Sequence, residues 1–198
     1  MKKFLLSIAI VAAGLFVASC GNKGGATAAD NTEFATDTLT FDDYKWFTWK
    51  AIVPEGKGYK MVPGSELPEV LRDYSNDGIQ YLVGDKVLVY VGDFYDKSLD
   101  GWKTNSSYKP EELEETKIAG RNALRARSIE SDGQTTKFWG YTYYVDSSDF
   151  GAAGYEHYKS FTFSVYSADG KYDVIDSVLA DEQVQFILDN MTVTPKSE

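Results

Sequence analysis

Hydrophobic and polar positions alternate with a period of two in several stretches, the signature of strands with one buried face. The strongest pair is Ala123-Leu-Arg-Ala-Arg-Ser-Ile129 and Thr135-Thr-Lys-Phe-Trp-Gly-Tyr-Thr-Tyr-Tyr-Val145, which flank Ser131-Asp-Gly-Gln134. Asp-Gly between alternating runs predicts a hairpin with a type I′ turn. Pairing Ser131 with Gln134 sets Ala126 opposite Trp139 and Leu124 opposite Tyr141 on an apolar face. The opposite face then carries Arg125 and Arg127 beside Phe138 and Gly140. Further strands are predicted at Phe47–Val53, Gln80–Val83, Lys86–Gly92 and Ser160–Ser167. In the last of these Phe161, Phe163 and Val165 share one side, and Ala168-Asp169-Gly170 closes it with turn residues. Ile118-Ala119-Gly120 reads as a short strand entering a turn.

Helical spacing is rarer. Pro68 to Tyr74 begins with proline, which suits a first helical turn. Pro110-Glu-Glu-Leu-Glu-Glu115 predicts a helix start with acids near the positive end of the dipole. Asp181 precedes Val184, Ile187, Leu188 and Met191, an apolar stripe at i, i+3, i+4 and i+7 with Asp181 as N-cap. Hairpin-linked strands with interspersed helices predict an α+β fold around an antiparallel sheet.

The N-terminus changes the picture. Lys2 and Lys3 precede an uncharged run from Phe4 to Ala18 that would span about 22 Å as a helix, short of a roughly 30 Å hydrocarbon core. A basic start, a short apolar run and small residues at its end form a secretory signal. Val17-Ala18-Ser19-Cys20 resembles the bacterial lipobox. That resemblance implies cleavage before Cys20, a diacylglyceryl thioether on its sulfur and an acyl chain such as palmitate on its new amine. Several chains hold a protein on a membrane where one holds it only marginally. Cys20 is the sole cysteine and His157 the sole histidine, so no disulfide within the chain and no Cys–His pair near in sequence is available. The expected organisation is a signal peptide at residues 1–19, a Gly/Ala/Thr-rich tether at 20–38 and one domain at 39–198. Gly21-Asn22 has no Asp beside the cysteine, which by analogy with enterobacterial sorting favours the outer membrane of a Gram-negative envelope.

Charge narrows the partners. The chain carries a formal charge of −10, and loss of Lys2 and Lys3 shifts it by two units to about −12. Such a surface argues against nucleic acid, which requires clustered basic groups. The membrane contact expected here is the lipid on Cys20 instead.

From Thr116 to Val193 the chain resembles the PsbP-like superfamily. The resemblance rests on Ile118-Ala-Gly-Arg-Asn-Ala123, the hairpin that follows, the aromatic strand Phe138–Val145, the strand Phe161–Ser167 and the terminal Phe186-Ile-Leu-Asp-Asn-Met191. Upstream, Phe47 to Pro54 is similar to an early strand ending in Val-Pro. It implies an antiparallel sheet flanked by helices, an αβα sandwich, and a binding or assembly role with no shared catalytic set. The lipobox departs from the plant protein of that superfamily, and no photosystem role is implied.

Sharper chemistry is weakly encoded. Asp73-Tyr-Ser-Asn-Asp-Gly78 matches the first half of an EF-hand loop, but Gly84 stands where the bidentate Glu belongs. Asp93, Asp96 and Asp100, and likewise Asp146 and Asp149, read as solvated loop residues. His157 has no companion ligand, so neither a metal nor another cofactor is expected. No nucleophile elbow or phosphate-binding glycine loop occurs. The candidate contact residues are Trp102, in a polar stretch, and Arg125 with Arg127 in an acidic protein. Three readings follow: a tethered domain that binds an envelope protein, a lipoprotein that binds a ligand such as a glycan through Trp102 and nearby aromatics, and a hydrolase using paired carboxylates.

Overall fold

The computed structural model describes residues 35–42, 47–67, 69–72, 79–104, 107–108, 112–131, 136–150 and 157–196. Cys20, the expected tether up to residue 34, the Asp73–Gly78 loop and the Asp132-Gly133 turn lie outside them. Among the described residues no helix is long and apolar enough to cross a membrane.

Two antiparallel sheets organise the chain. The smaller has the order β1-β2-β10, formed by β1 (Thr36–Phe41), β2 (Phe47–Pro54) and β10 (Met191–Pro195). The larger has seven strands in the order β3-β4-β5-β9-β8-β7-β6. These are β3 (Lys60–Pro63), β4 (Gln80–Val83), β5 (Val87–Tyr95), β6 (Leu113–Ile118), β7 (Arg121–Ser131), β8 (Thr136–Asp146) and β9 (Ser160–Ser167). The helices are short: α1 (Glu69–Arg72), α2 (Leu99–Thr104), α3 (Ile175–Leu179) and α4 (Glu182–Asp189).

The main core lies where one face of the seven-stranded sheet meets β2, β10, α3 and α4. Alternation in β2 buries Phe47, Trp49, Ala51 and Val53, and alternation in β9 sends Phe161, Phe163 and Val165 to the same interior. The Trp49 and Phe163 rings meet edge-on, 6.1 Å between centroids, and join the layers. Asp181 caps α4 as expected, accepting bonds from the Gln183 and Val184 amides at 3.0 and 3.3 Å. The stripe ends sooner than its spacing predicts. Met191 belongs to β10, where it is buried opposite Ala51, because a paired strand satisfies the backbone beyond Asn190.

Two further expectations are corrected. Leu113-Glu-Glu115 is the start of β6, not of a helix. Leu113 packs with Leu124, Ala126 and Tyr144, while exposed Glu114, Glu115 and Lys117 suit an outer strand that must not pair further. The β7–β8 register also differs: Ala126 faces Thr142, Leu124 faces Tyr144 and Arg127 faces Tyr141. Ser131 pairs with Thr136, so the connection has four residues and not two. An irregularity between Ser128 and Ile129 then shifts the strand by one more residue. An odd shift reverses faces, and so Tyr141 joins the arginines. The β6–β7 hairpin is tight, with Ala119 and Gly120 both at positive φ (54° and 71°) as a type I′ turn requires. Meanwhile β1 begins at Thr36, upstream of the boundary expected at residue 39.

Candidate functional site

Arg125 and Arg127 alternate with Leu124 and Ala126 along β7, so both project to the face that carries Tyr141 and Tyr143 of the neighbouring strand. That face is covered by helices and the small sheet elsewhere, and toward β6 it opens into a cavity of about 690 Å³. Its lining includes Tyr108, Glu112, Glu114, Arg125, Arg127 and Asp176. The volume lies within the roughly 300–1,000 Å³ range of small-ligand sites.

The two arginines are held differently. Arg125 sends Nε and Nη2 to one oxygen of Glu114, its cross-strand neighbour, at 3.2 and 2.5 Å. Its guanidinium lies 4.4 Å from the centroid of Tyr141 and across from Tyr143, its cross-strand neighbour on β8. A guanidinium with this many constraints is a rigid planar surface. Arg127 rests on the Phe138 ring at 4.6 Å and reaches Asp176 only at 3.9 Å. The Arg127 and Asp176 side chains are 63% and 64% exposed, so that pair contributes little to folding. Tyr141 donates to Asp176 Oδ1 at 2.7 Å. Burial, and then that bond, pushes the Tyr141 hydroxyl above its ordinary value. The carboxylate therefore sits between a bonded phenol and an exposed arginine.

Trp102 lies at a different place. It is on α2, half-buried against Tyr144 with ring centroids 4.1 Å apart, on the opposite face of the large sheet. Its Nε1 donates to Ser160 Oγ at 3.0 Å, and Ser160 donates to the Lys97 carbonyl at 2.6 Å. Lys97 Nζ caps the ring at 4.2 Å. The structure thus brings Arg125 and Arg127 together and places Trp102 apart from them. The loop carboxylates do not converge: among the described residues no three His, Cys, Asp or Glu side chains gather as a metal site would need. Arg121 engages Asp149 and donates to the Asp146 carbonyl at 2.7 Å, and exposed His157 lies against the Tyr158 ring.

Sequence reasoning missed Glu114, Tyr141 and Asp176 as members of this cavity. A strand reading of residues 113–118 would have set Glu114 across from Arg125. Asp176 lies beyond β9 and carries no local signal. Comparison with protein-family models, with curated proteins and with solved structures finds no match to this chain.

Proposed function

We propose that this protein is a lipid-anchored, non-enzymatic binding protein of a Gram-negative cell envelope, held to the outer membrane through Cys20, with a PsbP-like domain that engages another envelope protein. Support for the domain reading comes from the antiparallel seven-stranded sheet, with α3 and α4 on one side and α1 and α2 on the other. The binding role rests on one observation: the cavity beside β6 keeps its inner arginine paired and leaves its rim charges largely in water. Arg125 is locked by Glu114 and the Tyr141 ring, whereas Arg127 and Asp176 stand at 3.9 Å with most of their surface in water. An interface works best with a preorganised centre and polar edges that re-pair across the contact. Arginine and tyrosine are the residue types that most often anchor such contacts. Three carboxylates against two arginines in the lining favour a protein surface over a polyanion, in keeping with the acidic chain.

A photocrosslinking amino acid placed at Ser107, beside the cavity in the full-length membrane-bound protein, tests this reading. A covalent protein adduct is expected, lost when Arg127→Glu is added and absent when the crosslinker is moved to Lys50 on the small sheet. Adduct formation indifferent to Arg127→Glu, or no adduct, would overturn the partner surface. The anchor is tested separately. Cys20→Ser is expected to leave the protein unacylated and released from membranes, and undiminished membrane retention refutes the lipid attachment.

A further inference from the structure

The second face of the large sheet carries a groove made by side-chain size. One cross-strand row runs Tyr81, Tyr90, Ser164, Thr142, Ala126 through β4, β5, β9, β8 and β7. In the adjoining row Thr162 lies opposite Tyr144. Large rings at one end of the first row and at Tyr144 in the second, with short hydroxyl side chains between them, leave a trough, a cavity of about 380 Å³. Gly92 lies at its edge, where an added Cβ would meet Thr162 Oγ1 at 2.5 Å.

Both walls are preorganised. On one side Tyr90 and Tyr166 stack at 6.0 Å with 28° between planes, backed by Tyr81 at 5.0 Å and Trp139 at 5.5 Å. Tyr166 lies across Gly140, its cross-strand neighbour, where any Cβ would sit 2.3 Å from the ring. On the other side Tyr144 is pressed against Trp102, which Ser160 pins through Nε1. The floor is polar: the Tyr90, Ser164 and Tyr166 side chains line it together, and Ser128 and Thr142 share a bond at 2.9 Å. Burial pushes the Tyr90 and Tyr144 hydroxyls upward, so they stay neutral donors.

The chemistry of this lining selects its occupant. Among the described residues lining the groove there is no Lys, Arg or His, and Asp93 is the one charged group. An anionic ligand would find no counter-charge in an acidic protein. A hydrocarbon ligand would strip water from the floor hydroxyls without replacing their bonds. A ligand that presents flat C–H faces to rings and hydroxyls to hydroxyls satisfies both surfaces. We infer that the Tyr90–Tyr166–Tyr144 groove is a binding site for a neutral oligosaccharide. It is separate from the Arg127 surface and needs no partner protein there.

The test uses the full chain purified in a detergent without a sugar headgroup, such as lauryldimethylamine oxide. Cellotetraose, maltotetraose and tri-N-acetylchitotriose are titrated by calorimetry, with a tri-galacturonate as anionic control. At least one neutral probe should bind, and the anionic one should bind at least tenfold more weakly. Tyr166→Ala should weaken binding about tenfold, the scale of one lost ring contact. Thr162→Val, which keeps shape and removes a floor hydroxyl, should weaken it severalfold even if the alanine variant folds poorly. Lys50→Ala, on the small sheet, should leave binding unchanged. No binding by any neutral probe overturns the inference. So does binding that survives both groove substitutions, or binding of the anionic probe as tight as the neutral ones.

Discussion

The two faces of the seven-stranded sheet are built by the same strands, yet β9 shows how different they are. Its odd positions, Phe161, Phe163 and Val165, are fully buried against the small sheet and α4. Its even positions, Thr162, Ser164 and Tyr166, present hydroxyls to the other side. Apolar burial at about 25 cal/mol per Å² makes the first face the source of stability. Among the described residues the second face is covered at its ends, through Leu67 and Leu71 near Trp139 and through Leu99 and Trp102 near Tyr144. What lies between is polar, shaped and rigid, so the fold invests in geometry there and in burial elsewhere.

The largest test of this contrast is a matched pair of truncations. Phe163→Ala removes a fully buried ring that touches Trp49 and Phe161, and should cost about 3–5 kcal/mol. Tyr166→Ala removes a half-buried ring on the opposite face and should cost about 1–2 kcal/mol. Urea unfolding of both variants measures the difference. Equal losses would mean that the two faces share the structural load and that the contrast drawn here is false.

A smaller effect sharpens it from the groove side. Gly140→Ala places a methyl 2.3 Å from both the Tyr166 ring and the Val165 carbonyl oxygen. The ring can swing away but the backbone cannot, so the expected destabilisation is about 1–3 kcal/mol. Tyrosine ring resonances in a spectrum of the variant should shift for Tyr90 and Tyr166 and stay put for Tyr141. An unmoved Tyr166 would show that the glycine does not set the wall.

These two residues also mark how far the sequence could be read. Strand positions were legible because alternation is local: Phe161, Phe163 and Val165 announce their shared face. The groove was not, because its lining is assembled from four strands, β4, β5, β8 and β9, whose registers depend on one another. The irregularity between Ser128 and Ile129 illustrates the difficulty: it turns Tyr141 toward Arg125 and leaves Trp139 beside Tyr166. Nothing in Phe138-Trp-Gly140 specifies that extra residue. Pro110 to Glu115 misled for another reason, since charges that favour a helix start serve equally on an outer strand. The arginine pair was visible, but its partner Asp176 comes from the far side of β9 and becomes a neighbour only through tertiary packing.

The smallest effect concerns the helix that roofs the buried face. Asp181 caps α4 and also pairs with Lys86, which precedes β5. The Lys86 ammonium, aided by the Val184 and Gln183 amides, holds the Asp181 carboxyl below its ordinary value against the opposing effect of burial. A lowered carboxylate stabilises the folded chain fully above the ordinary aspartate value of about 3.9, and that stabilisation fades as the pH falls through the lower folded value. Asp181→Ala loses cap and ion pair together and should cost about 1 kcal/mol at pH 7. Asp181→Asn keeps a good cap and loses only the charge, so it should cost a few tenths of that figure, with the penalty vanishing in strong acid. Thermal melts of the three proteins at pH 7 and pH 2 separate the contributions. If the alanine penalty were undiminished at pH 2, the uncharged cap would account for all of it and Lys86 would contribute nothing. If it vanished there, the charge would be what fastens α4 over the core, and the buried face would be pH-sensitive in a way that the tyrosine face, with its neutral hydroxyls, is not.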